Sequence, residues 1–214
     1  MVKLFLDIET LPGDESLKES IASKISPPGT YKKEEKIREW EESEKPLKVE
    51  EEYRKTALKG EFGGILCIGY VKETDRGISQ DVITGSEPEI LHKFWDVAKD
   101  VDLFIGHNIL DFDLKFILQR SIIHRVKPTR DLSFARYQSY QIYDTMHEWT
   151  CWGREHVDLD RLAKALGLES PKTTMDGSMV YDYHKDGRDQ EIYDYCLRDV
   201  ETTRKIYNRM NFIE

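Results

Sequence analysis

An α/β fold is predicted by three features of the sequence. Short runs of β-type apolar residues stand at Leu4-Phe5-Leu6, Ile65-Leu66-Cys67-Ile68 and Leu103-Phe104-Ile105. After the second of these, strand-like runs alternate with longer segments whose apolar residues recur every three or four positions. Hydrophobic residues make up 39% of the 214, enough for a substantial core in one domain spanning residues 1–214.

Lys3 to Glu9 reads as a buried strand whose only polar members near its end are Asp7 and Glu9. Residues 11 to 61 read as an insertion. Within it, residues 32 to 55 carry eight positive and nine negative side chains around Trp40, Val49 and Tyr53, the pattern of one or two solvated helices. A second strand, Ile65 to Val71, is entered through Gly63-Gly64 and makes a hairpin-like pair with the first. Asp81 to Gly85 reads as a third strand, Glu87 to Lys99 as a helix with Ile90, Leu91, Phe94 and Val97 inward, and Asp102 to Gly106 as a fourth strand. Helices are expected from about Phe112 to Ile122, over Val157 to Leu168, and from near Asp189, where Ile192, Cys196, Val200, Thr203, Tyr207 and Met210 form one stripe.

Composition narrows the function classes. No stretch approaches the roughly 20 apolar residues of a membrane helix, and the run before Asp7 is too short for a signal-peptide core, so a cytoplasmic protein without membrane contact is expected. Cys67, Cys151 and Cys196 are far apart and form no C-x-x-C pair, which argues against a zinc or redox motif. The net charge of −9 does not attract a polyanion, so a nucleic-acid substrate would need a local basic patch or bound metal ions.

Three short elements carry chemistry. Asp7 and Glu9 lie two apart on a strand and share a face; two neighbouring buried carboxylates call for a cation, although D-x-E also occurs at Asp189-Glu191 and Asp199-Glu201. His107, Asn108, Asp111, Phe112 and Asp113 run from a strand end through a polar turn into a helix, where ligands of α/β folds gather; helix capping by Asp111 explains the acids equally but not His107-Asn108. Tyr195 and Asp199 stand one helical turn apart on one face, a pattern also compatible with core packing.

Taken together and in this order, the elements resemble the DEDD superfamily of 3′-5′ exonucleases. Asp7-Ile8-Glu9-Thr10 matches its D-x-E-T motif, Asn108 to Asp113 the N-x-x-x-F-D form of the second, and Tyr195 to Asp199 the Y-x-x-x-D third. The form of the second motif is similar to the exonuclease domain of family-B DNA polymerases and to stand-alone predicted exonucleases related to it, as is Gly177 to Val180. The resemblance spans residues 1–10 and 62–210. It implies a ribonuclease H-like fold, a mixed β-sheet flanked by helices, with the charged insertion left unexplained. It also implies that Asp7, Glu9, Asp113 and Asp199 hold two divalent ions, Mg²⁺ or Mn²⁺, and that Tyr195 orients the attacking water. Thr10, Leu11, His107, Asn108 and Phe112 would then meet the 3′ end, although Thr10 also suits a turn and Phe112 a core. His184 and Asp189 have the spacing of the related His-type branch, but Gly187 interrupts the helix between them. Lys115, Arg120, Arg125, Lys127 and Arg130 form a basic run that either tracks phosphates or is a solvated face; Asp144 is expected to position the site or cap the next segment.

The implied activity is a metal-dependent 3′-5′ exonuclease that prefers single-stranded DNA, with a replication or repair protein as a partner. Trimming of RNA 3′ ends is the alternative within the same chemistry. An alternative of another class is a catalytically silent module that docks nucleic acid or protein through the insertion.

Overall fold

The apolar run Lys3–Leu11 forms β1, the central strand of a five-stranded mixed sheet. A computed structural model of the chain describes residues 1–134, 141–169 and 175–213. β1 pairs antiparallel with β2 (Gly64–Thr74), which pairs antiparallel with β3 (Gly77–Ile83). On its other side β1 runs parallel to β4 (Leu103–Gly106), and β4 parallel to β5 (Ile142–Asp144), giving the order β3-β2-β1-β4-β5. Parallel pairing requires a crossover, and helix α4 (Glu87–Ala98) provides it between β3 and β4.

Alternation along β1 divides the core. Leu4, Leu6 and Ile8 pack with Phe94 and Trp95 of α4 and with Leu114 and Ile117 of α5 (Asp113–Ile123). Phe5 faces the other way, joining Val71, Ile105, Val200 and Tyr207 under the long C-terminal helix. That helix, numbered α9 below, covers Asp189–Met210. Tyr207 is clamped edge-on by Phe5 at 5.5 Å and by Tyr143 at 4.8 Å between ring centroids.

The insertion holds α1 (Leu17–Lys24), α2 (Glu34–Ser43), α3 (Lys45–Arg54) and a 3-10 turn, Lys55–Leu58. The one or two helices expected over residues 32 to 55 are two, α2 and α3, separated where Pro46 opens α3; α1 carries too weak a periodicity to be read from sequence. β1 runs on through Leu11, so the insertion begins after that residue. Trp40 and Tyr53 are its buried aromatics. Tyr53 donates its phenol proton to the Gly13 carbonyl at 2.9 Å, and the Gly13 N–H donates to Thr56 at 3.0 Å.

Other departures from expectation have local causes. β3 begins four residues before the predicted Asp81, because its first half is an exposed edge with Ile78 at the surface and shows no apolar pattern. Asp158 caps α7 (Leu159–Ala165), and Gly167, at φ +70°, follows its end, so the helix is shorter than residues 157 to 168. α6 (Thr145–Trp149) and α8 (Val180–Lys185) are too short for periodicity to signal. Among the described residues no helix is long and apolar enough to cross a membrane.

Candidate active site

Asp7 and Glu9 continue the Phe5 face of β1, opposite Gly69 and Cys67 of β2, so both carboxylates point under α9. The approach is close. A Cβ on Gly69 would stand 2.8 Å from Cys196 Sγ and 3.3 Å from a Val200 methyl, so only glycine lets α9 lie on the sheet here. Cys196 points its thiol at Asp7, 3.5 Å from the carbonyl oxygen and 3.7 Å from a carboxylate oxygen.

Asp113 arrives from the first turn of α5. One of its oxygens accepts the Ile8 N–H at 3.0 Å, which ties the helix start to β1 between the two acids of that strand. From α9 come Tyr195 and Asp199, both buried, with the phenol hydrogen-bonded to Asp199. Tyr195, Asp199, Asp160 and Gly177 border a cavity of about 430 Å³ that opens the site to solvent.

The electrostatics are those of a cation-binding site. Burial, then the charges of Asp113, Glu9 and Asp199, pushes Asp7 well above the ordinary carboxylate range. Burial, Cys67 and then Asp199 and Asp113 do the same to Glu9. Asp113 is raised to about 7, mainly by burial and against the pull of its backbone hydrogen bonds. Burial and then Asp199, Glu9 and Asp7 hold the Tyr195 phenol above its usual value, so it is protonated at neutral pH. No lysine, arginine or histidine forms an ion pair with Asp7, Glu9 or Asp113 among the described residues. Buried like charges without a counterion are costly. The oxygen-rich donor set of Asp7, Glu9, Asp113 and Asp199 therefore fits hard divalent cations. Donor atoms of Asp7, Glu9 and Cys196 lie within 4.8 Å of one another.

The family model described as a predicted 3′-5′ exonuclease related to the exonuclease domain of PolB matches residues 62–214. The chain belongs to this family. It is 31% identical over 156 residues to an uncharacterised protein of Methanocaldococcus jannaschii, a match covering 67% of this chain and 83% of that one. Its fold is similar to the family B DNA polymerase of Pyrobaculum calidifontis, with a TM-score of 0.60 at 17% identity over 99% of this chain. The chain spans 24% of that polymerase's length. The fold is thus that of the PolB exonuclease domain, ribonuclease H-like as the motifs imply. The family's stated chemistry is that of a nuclease-type hydrolase.

The remaining expected residues divide by position. Leu11 packs beside Tyr195, and Thr10 is buried just past a register shift in β1. Asn108 adopts φ +62°, and its buried side-chain oxygen has no hydrogen-bond partner among the described residues. Phe112 meets Phe116 with tilted rings, 5.6 Å between centroids, and lines a cavity of about 240 Å³ with Lys115 and Lys59. His107 is tied inward: its ring nitrogens meet Thr145 at 3.0 Å and the Val157 carbonyl at 2.8 Å. Burial lowers its pKa, so it is neutral at pH 7. His184 pairs with Asp189 at 2.7 Å across the α8–α9 corner.

Asp144 fills both expected roles. Fully buried, it accepts the N–H groups of Asn108 and Leu110 at 3.0 and 3.1 Å and those of Met146 and His147 at 3.0 and 3.3 Å, fixing the turn before α5 while capping α6. The basic run divides. Arg120 binds Glu87 at 2.7 Å and Arg130 donates to the Val101 carbonyl, whereas Lys115 is exposed. Cys196 and Gly69 escape a reading of motifs. Cys196 falls in the apolar stripe of α9, and the available signal was a glycine inside strand β2, which marks close backbone approach.

Proposed function

We propose that this chain is a metal-dependent 3′-5′ exonuclease acting on single-stranded DNA. What supports this reading is that the acids of β1, the start of α5 and the middle of α9 lie near enough for Asp113 and Asp199 to raise Asp7 and Glu9, and that Asp7, Glu9 and Asp113 are raised by burial and have no ion pair with a protein cation among the described residues. Asp7, Glu9, Asp113 and Asp199 would hold two Mg²⁺ or Mn²⁺ ions. When bound, such ions supply Lewis-acid polarisation of the phosphate and a lowered pKa for coordinated water.

The protein's own groups do the rest. The Tyr195 phenol stays protonated, gives its one proton to Asp199, and turns its oxygen lone pairs towards the attacking water as a hydrogen-bond acceptor that orients it. Asp113, anchored to the Ile8 N–H, keeps the α5 and β1 acids in one fixed relation. Thr10 and Leu11 line the place of the terminal nucleotide, while Asn108 offers its unpartnered oxygen and Phe112 a ring face. His107 and Asp144 act indirectly, by holding the turn that presents Asn108. The single domain over residues 1–214, the cytoplasmic setting and a replication or repair partner belong to the same reading.

A gel time course tests it, using 5′-labelled DNA and RNA strands of equal sequence with Mg²⁺, Mn²⁺ or EDTA, and wild type beside Asp7→Ala. The expected result is a metal-dependent ladder shortening from the 3′ end on DNA, absent in the variant. A ladder on RNA alone reassigns the substrate; an Asp7→Ala protein as active as wild type removes the proposed chemistry.

A further inference from the structure

We propose that the insertion is the strand guide of this site: a lysine-edged apolar groove, running from Phe112 over the 3-10 turn to α1, binds the single strand of nucleic acid behind its 3′ end. The inference rests on the exonuclease reading above and adds a binding surface that lies largely outside residues 62–214, the part matched by the family model.

Two cavities make the groove. The first, of about 240 Å³, starts at Phe112 and Lys115 beside the second acidic motif and reaches Lys59. The second, of about 400 Å³, starts at Lys59 and is walled by Ile21, Ile25 and Phe62 with Lys24 at its edge. Lys59 lines both, so the two cavities adjoin at this residue, and the first begins at Phe112, next in the chain to Asp113.

The lining suits a polyanion with flat apolar bases. Leu58 and Phe62 are 65% and 45% exposed, although a small insertion with few buried residues has reason to bury them. Lys24, Lys59 and Lys115 make no ion pair among the described residues, whereas Lys18, Arg54 and Lys55 of the same insertion are each paired with an acid. Three acids line the groove: Glu52 is engaged by Lys55 at 2.8 Å, Asp111 meets His147 at 3.1 Å, and Glu61 lies two residues from Lys59. The acid-rich surface of α2, with Glu34, Glu35, Glu39 and Glu42, lines a different cavity. Along the groove, three lysines without an ion pair among the described residues stand next to apolar and aromatic groups, while two of its three acids, Glu52 and Asp111, already have basic partners. That combination holds single strands independently of sequence, the cations following phosphates and the ring faces taking bases.

The test measures binding of 5′-fluorescein oligo(dT) of about 6 and about 20 nucleotides to the full chain carrying Asp7→Asn, in Mg²⁺, over a range of salt. Lys24→Ala/Lys59→Ala should weaken the longer strand about tenfold and reduce the slope of log affinity against log salt by about 1.4, at about 0.7 for each phosphate no longer neutralised. The shorter strand should lose much less, so the ratio of the two affinities falls. Phe62→Ala should weaken the longer strand about fivefold or more with the salt slope unchanged, the signature of stacking. Lys32→Ala/Lys36→Ala, on the acid-rich side, serves as the control. Unchanged affinity and slope in the groove variants, or an equal loss in the control, overturns the groove and leaves that surface to a protein partner. If wild type trims DNA in the gel assay while the groove variants bind as before, only this inference falls; if wild type neither binds nor trims, both fall together.

Discussion

In the insertion, Glu50, Glu51 and Arg54 lie near the surface with partners of opposite charge at 2.6 to 3.1 Å. Beneath α9, Glu9 and Asp113 are buried and Asp7 half-buried, with no cation of the protein paired to them among the described residues. The same side-chain chemistry produces opposite shifts. Its hydrogen bond to Lys18 holds Glu50 below the ordinary range, while burial drives the site carboxylates above it. A charged segment is inexpensive where water screens it, so the insertion tolerates many charges for little net stability. A charged cluster with water removed stays unfavourable until a cation arrives. Glu87 is the third case, with a side chain only 14% exposed yet supplied with Arg120 at 2.7 Å and His124 at 2.6 Å.

Removing one of the site's like charges is the most forceful way to break the contrast. Asp7→Asn should lower turnover by at least about 10²–10³-fold, the scale of losing a group that stabilises developing charge. In EDTA the same variant should melt at a higher temperature than wild type. Calorimetry showing a lower melting temperature in EDTA would mean that Asp7 is not under electrostatic strain.

Asp144 sharpens the comparison as a buried acid held chiefly by four backbone N–H groups, with His147 at 3.9 Å. Asp144→Ala leaves four buried donors without their acceptor and should cost about 3 kcal/mol in denaturant unfolding, with activity falling as the Asn108 turn loosens. A loss under about 0.5 kcal/mol would show that water replaces the carboxylate.

For Glu87 the test is pH. Burial raises its pKa, but Arg120, the Ile65 N–H and His124 outweigh burial and leave it below the ordinary 4.5. A depressed carboxylate contributes stability that is complete above its unfolded pKa and is lost as pH falls through the folded one. The melting-temperature gap between wild type and Glu87→Gln should therefore be full at pH 6 and close on acidification below about 4.5. A gap independent of pH would assign the effect to packing.

The smallest effect is expected in the insertion. Arg54 grips Asp182 of α8 with two bonds of 2.6 and 2.9 Å, but both side chains are more than a third exposed. Arg54→Ala should cost under about 1 kcal/mol, and less in high salt. A loss of several kcal/mol, measured by urea titration, would make this pair the clasp that holds the insertion on the body of the protein.

The parts of this protein legible in its sequence are those whose geometry is local. Asp7 and Glu9 share a face because strands alternate, and Tyr195 and Asp199 share one because helices turn every 3.6 residues. The long helix from Asp189 is evident for the same reason. What escaped depends on pairing and packing with other elements, which periodicity within a segment does not show. β3 owes its first half to pairing with β2, and three-residue β5 to its place beside β4. Cys196 reads as core until Gly69, 127 residues earlier, is seen to admit it to the side of Asp7.

The aromatic clamp on Tyr207 adds a distant anchor to α9, which is also seated on the sheet at Cys196 and Val200. Twelve residues separate Tyr207 from Tyr195, about 18 Å at 1.5 Å per residue. Rotation about the clamped end by about 3° would carry the phenol roughly 1 Å, a displacement worth about 10²-fold in rate where reacting groups must be aligned. The alignment of the chemistry is therefore set in part by three rings, Phe5, Tyr143 and Tyr207, that touch none of it.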